Sequence, residues 1–434
     1  MDGRDPEGTE MTHPTPTADP RPGSDDYRRA QRAELLRFGA GARCELGFGY
    51  LDERGRVDPT TAELWITCRM THIVTLGLLA DEEPAPGGPD REELAALAAH
   101  GVQALRGPLH DDEHGGWFAA VTAEGPSNTT KQAYGHAFVV LAASSAVAAG
   151  IEGAQELLDL ALAVQEEHFW DEDAGLVVDE WDRAWTTLDP YRGINANMHS
   201  VEAYLAAGDV TGDTRWHRRA GRISAQVATW ARENEWRIPE HFATDWTPLL
   251  EHNRDRPADP FKPYGATVGH GLEWARLLLA VDATLGADAP ANLAETALAL
   301  AARAVADGWD ADGAEGFVYT TDWSGKPVVR ARMHWVVTEA IAMSTVLERV
   351  TGDAAHAADL ERWWAYADTY LVDRDGGSWH HELDPANRPA SGTWEGKPDV
   401  YHAYQAALMA DVPLTPSFAS ALRAAAQPRR RPAP

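Results

Sequence analysis

Cysteine is scarce in this 434-residue chain, which contains only Cys44 and Cys68. Two cysteines are too few for a disulfide framework or for a thiolate metal site. The chain also lacks any uninterrupted apolar run of about 18 residues, the length that a membrane-spanning helix needs. Residues 1–24 are rich in Pro, Thr, Gly and Asp and lack the apolar segment of a signal peptide. These absences predict a soluble, cytoplasmic protein without a membrane partner.

Positive charge is limited as well, and lysine is rare. The chain has four lysines, and its excess of Asp and Glu gives a formal net charge of −29. A nucleic-acid partner would require clustered Lys and Arg that neutralise phosphates, so we expect none. An apolar content of 44% with 17 Trp is sufficient for a large core, which excludes global disorder.

Several motifs of metal, nucleotide and serine enzymes are missing. The chain has no H-E-x-x-H pair, no phosphate-binding loop with its lysine, and no G-x-S-x-G turn around a nucleophilic serine. We therefore expect no metal and no cofactor.

Six segments of the chain share one pattern, in which a histidine lies in or before a run of small and apolar residues. The histidines are His72, His136, His199, His270, His334 and His402, and successive ones are 63 to 71 residues apart. Repetition at so even an interval indicates a repeat architecture. Each run is apolar on nearly all sides, which is typical of a helix surrounded by other elements.

Between these runs lie helical segments with charged residues on one face. They are predicted near residues 26–40, 91–105, 153–167, 217–233, 290–306 and 356–371. Six hairpins of one outer and one inner helix bury the inner helices if they close into a ring, and no capping repeat of an open array is evident. We predict an all-α (α/α)6 barrel. Residues 25–426 form a single domain, residues 1–24 a disordered tail and residues 427–434 a C-terminal tail.

Glycine-rich segments that contain Trp or Phe connect several outer helices to the next inner helix. They are residues 114–121, 174–181, 315–323 and 376–384, and each predicts a short strand or β-hairpin after an Asp/Gly turn. All of these connections meet at the end of the barrel where the inner helices begin. We therefore expect the histidines and the aromatic connections to surround one pocket at this mouth.

The residue types at the mouth suit a carbohydrate, which offers C–H faces to aromatic rings and hydroxyls to polar groups. The pairs His199–Glu202 and His270–Glu273 have i, i+3 spacing, which puts a carboxylate and an imidazole on one helix face. Such a partner can fix the tautomer of the imidazole. The other inner-helix histidines (His72, His136, His334 and His402) are interpreted mainly as structural residues of the core or the wall.

At these motifs the chain resembles the N-acylglucosamine 2-epimerase superfamily, and within it the branch of D-mannose and sulfoquinovose isomerases. The resemblance runs in order from about residue 30 to 412, and R-M-T-H favours the isomerase branch over the epimerases. It is carried by W-x-x-x-R-M-T-H (65–72), K-Q-A-Y-G-H-A-F (131–138), N-A-N-M-H-S-V-E-A (195–203), E-H-F-A-T-D-W (240–246), P-Y-G-A-T-V-G-H-G-L-E-W (263–274), W-H-H-E-L-D (379–384) and G-K-P-D-V-Y-H (396–402).

The resemblance implies a metal-independent barrel that acts on the open-chain sugar. By motif position, the catalytic pair falls on His270 and on His381, the second His of W-H-H. One imidazole would open the pyranose ring, and the other would move a proton between C2 and C1 through a cis-enediol, with Glu273 orienting His270. Substrate-binding groups are expected at Trp65, Arg69, Tyr134, Asn195, His199, Glu202, Glu273, Lys262 and Trp379.

Lys262 departs from the arginine that is frequent in the P-F-R-P-Y segment of such relatives. Lysine keeps the charge but lacks the planar fork that binds an anion through two hydrogen bonds. The departure favours a neutral hexose over a sulfonated one.

The function that this resemblance implies is interconversion of D-mannose and D-fructose, and of D-lyxose and D-xylulose by the same chemistry. The alternatives on the same scaffold are sulfoquinovose isomerisation and 2-epimerisation of N-acylglucosamine or cellobiose. A glycoside hydrolase, which requires two opposed carboxyl groups, and a non-catalytic sugar-binding barrel are the less favoured classes. The expected partner is a small monosaccharide, and the pattern also allows a homo-oligomer.

Overall fold

The structure is a computed structural model that describes residues 20–393 and 395–426. Most of the first predicted tail (1–19) and all of the second (427–434) lie outside these residues. Residues 20–24 form a turn, and the Ser24 hydroxyl accepts a hydrogen bond from the backbone N–H of Tyr27 in the first helix.

Helices dominate the described residues. The thirteen α-helices found there are α1 (Asp25–Gly39), α2 (Leu64–Ala80), α3 (Arg91–Arg106), α4 (Ala133–Ala149), α5 (Ala154–Val164), α6 (Ile194–Thr211), α7 (Thr214–Glu233), α8 (Val268–Leu285), α9 (Leu293–Gly308), α10 (His334–Thr351), α11 (Ala354–Tyr366), α12 (Tyr401–Leu408) and α13 (Phe418–Ala426). A π-helical turn continues α5 over Gln165–Phe169, and another continues α11 over Ala367–Leu371.

Short strands lie in the connections between helices. They are β1 (Arg43–Cys44), β2 (Gly47–Leu51), β3 (Val57–Glu63), β4 (Ala120–Thr122), β5 (Gly125–Asn128), β6 (Lys131–Gln132), β7 (Trp170–Asp171), β8 (Leu176–Val177), β9 (Glu180–Trp181), β10 (Arg192–Gly193), β11 (His241–Phe242), β12 (Ala266–Thr267), β13 (Thr320–Thr321), β14 (Pro327–Val329), β15 (Arg332–Met333) and β16 (Glu382–Leu383). Strands β1 to β5 form one antiparallel sheet, and the others pair into two- or three-stranded ribbons.

Six hairpins close into a ring. The inner helices are α2, α4, α6, α8, α10 and α12; each contacts the next, and α12 contacts α2. The outer helices are α1, α3, α5, α7, α9 and α11. The inner helices are buried along most of their length, whereas α7, for example, buries one face through Trp216, Ala220 and Ile223. The structure therefore confirms the predicted six-hairpin barrel.

Local sequence signals set where these helices begin and end. Asp90 accepts a hydrogen bond from the backbone N–H of Glu93, and the Glu93 side chain accepts one from the backbone N–H of Asp90, which together cap α3. The inner helices α4 and α6 are followed by Gly150 and Gly212, both with φ of 72°. Glycine adopts this left-handed conformation without a steric penalty, so the chain can leave the helix and turn back.

Buried cations connect three of the glycine-rich loops to the segment that precedes the next inner helix. The Lys131 Nζ lies 2.9 Å from an Asp111 carboxylate oxygen, and Lys397 lies 2.5 Å from Asp373. Both ammonium groups also donate to a glycine carbonyl of the same loop. Arg332 and Asp312 form the equivalent pair at 2.7 Å. Each cation lies just before an inner helix, so these pairs hold the loops of the mouth against the barrel.

Two elements were not predicted. The sheet of β1 to β5 extends one side of the mouth, and α13 packs on α2, α4 and α6 beneath the C-terminal ends of the inner helices. Helix α13 closes the end of the barrel that is opposite the mouth. Within residues 20–393 and 395–426, no helix has the length and apolar character to cross a membrane.

Candidate active site

A cavity of ≈ 510 Å³ opens at the mouth, above the N-terminal ends of the inner helices. Most of the side chains that were predicted to bind substrate line it. The predicted ones are Trp65, Arg69, Tyr134, Asn195, His199, Lys262, His270, Glu273 and His381. A volume of this size is typical of a site that encloses a small molecule.

The six repeat histidines lie at different depths, so they do not all face the cavity. His334 is the first residue of α10, whereas His72 is the ninth residue of α2, two turns further down. His72 contacts Ser145 and Gln405 beneath the cavity floor. His136 is bonded to the backbone of Trp117 and Gln132. His72 and His136 are therefore structural residues, as interpreted from the sequence, whereas His334 and His402, which were interpreted in the same way, line the cavity. The repeat determines the spacing of the histidines along the chain and not their depth along the helix.

His270 is held by a carboxylate on a neighbouring loop. Its Nδ1 lies 2.8 Å from Glu240 Oε2, and Glu240 Oε1 accepts the backbone N–H of Thr267 at 3.3 Å. Nδ1 is therefore the protonated nitrogen, and the lone pair of Nε2 faces the cavity. The prediction that Glu273 orients His270 is wrong, because Glu240 occupies that position and the i, i+3 side chain points to Arg276 instead.

A second imidazole–carboxylate pair lies on the other side of Trp335. His402 Nδ1 lies 3.1 Å from Glu339 Oε1, and Glu339 is in turn bonded to Arg276. Burial lowers the pKa of His402 well below its usual value, with Arg69 and His334 acting in the same direction. His402 is therefore a neutral base at pH 7. The rings of His270 and His402 both contact the Trp335 indole, with centroid distances of 5.2 and 6.0 Å.

His381 has a different environment, although it lines the cavity as predicted. Its Nε2 lies 3.2 Å from the backbone carbonyl of Asp399, to which it donates, and no carboxylate of the described residues is bonded to it. Its ring stacks on His334 with centroids 3.8 Å apart. Burial lowers the pKa of His381 well below its usual value, and it lowers that of His334 to about 4.

Arg69 and Tyr134 form the polar wall opposite His270. The Arg69 guanidinium donates to the Tyr134 hydroxyl at 2.7 Å and lies 3.1 Å from an Asp399 oxygen. Because Tyr134 accepts from Arg69, its own proton is free to be donated into the cavity. Burial alone would raise the pKa of the Asp399 carboxyl, but Arg69 holds it below its usual value.

His199 and Asn195 complete the wall on α6. The His199 Nδ1 lies 3.8 Å from Glu202, and burial lowers the pKa of His199 to about 4. Glu202 accepts hydrogen bonds from the Tyr401 hydroxyl and from Gln405. Asn195 Oδ1 is buried without a hydrogen-bond partner among the described residues, so it can accept one from a ligand hydroxyl.

Two predicted substrate-binding residues do not line the cavity. Glu202 lies beneath the floor and contacts the site through His199. Trp379 packs against Trp364 in the outer layer, and its indole N–H donates to Gln31. The expectation of a sugar contact at Trp379 is therefore corrected, because the side chain points from the connection into the outer helices and not into the barrel.

Two carboxyl groups in the floor share one arginine. Arg276 lies 3.3 Å from Glu339 and 3.6 Å from Glu273. Burial raises the pKa of Glu273 well above its usual value, and the neighbouring Glu339 adds to this rise. Burial therefore favours the neutral form of the Glu273 carboxyl, which lies at the floor of the cavity.

Sequence reasoning missed Glu240 and Glu339 as supporting residues, and it interpreted the cavity residues His334 and His402 mainly as structural. Glu240 belongs to the E-H-F motif, which marked it as a residue of interest. Its separation of 30 residues from His270 along the chain did not indicate that the two side chains are in contact. Glu339 and His402 lie 63 residues apart, close to the repeat length, which places them on adjacent inner helices. No cluster of three or more His, Cys, Asp or Glu with metal-site geometry occurs in the described parts of the chain.

The comparisons with known proteins identify the family. A model of the N-acylglucosamine 2-epimerase (GlcNAc 2-epimerase) family matches residues 47–406. The chain belongs to this family. The match covers all six inner helices, so the predicted superfamily is confirmed.

Relatives of this chain in the family include D-mannose isomerases. One from Thermobifida fusca is 52% identical over 398 residues, which cover 91% of this chain and 95% of that protein. Another, from Pseudomonas cannabina pv. alisalensis, is 46% identical over 393 residues, which cover 89% of this chain and 92% of that protein. A crystal structure of a D-mannose isomerase has a TM-score of 0.83 at 26% identity and covers 91% of this chain and 99% of its own. The predicted isomerase branch and the barrel fold are thus confirmed.

Proposed function

We propose that this protein is an aldose–ketose isomerase that converts D-mannose to D-fructose through a cis-enediol. The observation that carries the proposal is the pair of imidazole–carboxylate dyads, His270–Glu240 and His402–Glu339, which flank Trp335 in one cavity. Two imidazoles with buried carboxylate partners suit a reaction in which two protons move in turn.

We assign to His270 the transfer of the carbon-bound proton from C2 to C1. Its Glu240 partner is not shared with a cation in the described residues, whereas Glu339 is also bonded to Arg276. The carboxylate beside His270 therefore stabilises an imidazolium more strongly. In the proposed step Nε2 of His270 removes the proton from C2 and later delivers it to C1. The C2–H bond is broken and a C1–H bond is formed, with no net oxidant.

His402 is proposed to move the oxygen-bound proton from O2 to O1. Its Nδ1 faces Glu339, so Nε2 keeps the lone pair that accepts the proton of the sugar hydroxyl. The motif assignment made His381, and not His402, the second member of the catalytic pair. The geometry favours His402, because a carboxylate stabilises the imidazolium that forms, whereas His381 donates to a backbone carbonyl.

Arg69 and Tyr134 are proposed to stabilise the enediolate. Donors that are already in position at the oxygen where negative charge develops lower the barrier most. Tyr134 is fixed by Arg69 and has a free proton, and Asn195 and Glu273 add polar groups near the floor. Trp65, near the Arg69 guanidinium, supplies an apolar face for the C–H groups of the sugar.

The activity is tested by incubating the purified protein with D-mannose in the presence of EDTA and identifying the product by NMR in heavy water. A ketose signal is expected. An epimer at C2 would identify a 2-epimerase instead, and no product from mannose, lyxose, sulfoquinovose or N-acetylmannosamine would refute isomerase chemistry.

The choice between His402 and His381 is tested by H402N and H381N in parallel. We expect H402N to lower kcat by about 1,000-fold or more and H381N by about 10-fold, as general acid–base groups contribute roughly 100- to 10,000-fold. A larger loss in H381N than in H402N would restore the motif assignment. The cytoplasmic location and a homo-oligomeric state are further proposals, the latter testable by light scattering.

A further inference from the structure

Asp179 is a cavity residue that the proposed chemistry does not use. It lies between β8 and β9, and its backbone carbonyl accepts the N–H of Ala133 at the start of α4 at 2.8 Å. This bond fixes the segment to the barrel, and the carboxyl lines the cavity together with Tyr191 and Lys262.

The Asp179 carboxylate and the Tyr191 hydroxyl face the same space above Gly193. A Cβ atom built on Gly193 would lie 3.4 Å from Asp179 Oδ2 and 3.1 Å from the Tyr191 oxygen. The absence of a side chain at Gly193 therefore leaves room beside two oxygen acceptors. Gly193 itself has φ of −124°, which any residue can adopt.

The hydrogen bonds of Tyr191 leave its oxygen able to accept from a ligand. His241 Nε2 lies 2.8 Å from the carbonyl of Pro263 and donates to it. His241 Nδ1 is therefore the acceptor, and the Tyr191 hydroxyl donates to it at 2.7 Å. Both lone pairs of the Tyr191 oxygen remain directed away from this bond.

Lys262 supplies a donor at the same place. Its Nζ lies 3.7 Å from the centre of the Tyr191 ring, and it is the largest favourable charge acting on Asp179. One ammonium donor and two oxygen acceptors match a pair of neighbouring sugar hydroxyls, each of which donates one hydrogen bond and accepts another.

This group lies across the cavity from His402. In the ring of inner helices, α12 is opposite α6, and Asp179 is bonded to the start of α4 and faces the start of α6. His402 is on α12, whereas His270 is on α8, the neighbour of α6. A sugar whose C1 and C2 lie between these two histidines therefore extends its other end away from His402, toward Asp179.

The pKa of the Asp179 carboxyl is consistent with a ligand-binding site. Burial raises the pKa of Asp179 to about 7; Lys262 opposes this rise most strongly, and the nearby acids Glu180 and Asp189 add to it. A half-buried carboxyl without a closely bonded cation gains from the hydroxyl donors of a ligand.

We propose that Asp179, supported by Lys262 and Tyr191, binds the end of the sugar remote from C1 and C2 and makes the enzyme prefer hexoses to pentoses. The inference rests on the proposed isomerase function. D-Lyxose tests it, because this pentose has the configuration of D-mannose at C2 to C4 and lacks C6 with its hydroxyl.

The experiment compares kcat/KM for D-mannose and D-lyxose in the wild type, D179N and G193A, with D173N as a control. Asp173 is an exposed acid on the same connection. We expect D179N to lower kcat/KM for mannose about 10- to 100-fold, as for loss of a charged hydrogen bond, and to change the value for lyxose less than threefold. G193A should act in the same direction, because its methyl group occupies the space between the two acceptors.

An equal loss for both sugars would overturn the proposal, since Asp179 would then act at the carbons that the sugars share or on folding. No loss for mannose would overturn it as well. The retained lyxose activity serves as the control for folding. If the wild type converts neither sugar, the isomerase function fails, and calorimetric binding of both sugars to the wild type and D179N still decides the role of Asp179. A selective loss of mannose binding in D179N supports the proposal, and equal binding by both proteins overturns it.

Discussion

Replacement of Glu240 by Gln should nearly abolish catalysis without unfolding the protein. The substitution keeps the volume of the side chain and removes the negative charge that lies 2.8 Å from His270 Nδ1. The substitution also reverses the direction of the hydrogen bond at His270 Nδ1. Glu240 Oε1 accepts the backbone N–H of Thr267, so the amide oxygen of Gln must take that position. The amide NH2 then faces His270 and turns Nδ1 into an acceptor.

The imidazole proton would consequently move to Nε2, on the cavity side. His270 would then present an N–H donor where the reaction needs a lone pair that removes the C2 proton. The lost attraction between a carboxylate and an imidazolium is about 4 kcal/mol for charges about 4 Å apart at an effective dielectric constant of about 20. The amide dipole of Gln retains part of this attraction, so the expected loss of transition-state stabilisation is about 2–4 kcal/mol. At about 1.36 kcal/mol per tenfold change, kcat should fall about 30- to 1,000-fold.

The assay is steady-state formation of ketose from D-mannose, combined with ¹⁵N NMR of the histidine rings. E240Q should show the lower kcat, a resonance of His270 in the Nε2–H tautomer, and a melting temperature close to that of the wild type. E339Q is the matched variant at the second dyad. A kcat of E240Q within threefold of the wild type would refute the reasoning, because the orienting carboxylate would then contribute nothing to proton transfer.

Three further predictions concern the enediolate donor, the loop cations and the buried histidines. Y134F should lower kcat/KM about 10- to 100-fold, since it removes the free donor and leaves a buried Arg69 N–H unsatisfied; steady-state kinetics test this, and an unchanged kcat/KM would exclude Tyr134 from the reaction. K131M should lower the free energy of unfolding by about 1–3 kcal/mol in urea titration, because Asp111 loses its buried ammonium partner and keeps only Arg183. The exposed control K326M should change little, and equal effects of the two would contradict the role of the buried pair. Burial lowers the pKa of three histidines (His72, His199 and His334) to about 4 and that of His136 to about 3. The unfolded chain, whose histidines titrate near 6.5, binds more protons below that pH. The free energy of unfolding should therefore be highest above pH 6.5 and fall toward pH 4, by up to roughly 3 kcal/mol per histidine; a flat profile between pH 7 and 4.5 would show that these imidazoles are not buried in neutral form.

The barrel could be predicted because its signals are local. The even spacing of six apolar helices and the one-sided charge of the helices between them determine which helix is surrounded and which faces solvent. The outer helices begin and end within a few residues of the predicted bounds, as for α3, predicted at 91–105 and observed at Arg91–Arg106. Helix α13 was not predicted, because it is short and follows the last repeat.

The candidate site could be predicted only in part. Arg69, Tyr134, Asn195, His199 and His270 belong to motifs at the starts of inner helices, and all line the cavity. Trp379 shares such a motif but faces the outer layer, since a residue on a short strand can point to either side. The i, i+3 spacing predicted Glu273 as the partner of His270, whereas the loop residue Glu240 makes the hydrogen bond to its Nδ1.

The amino-acid sequence by itself determined the class of protein, the six-hairpin architecture and the end of the barrel that carries the site. The architecture and the position of the site follow from the hydrophobic periodicity within each helix and from the even spacing of the helices along the chain. Both can be recognised without knowing the tertiary contacts. Only the tertiary structure decided which imidazole has a carboxylate partner, which histidines lie in the floor, and that Asp179 lies across the cavity from His402. Closure of the ring brings together residues that are 30 to 330 positions apart, and their distances and directions depend on how all six hairpins pack.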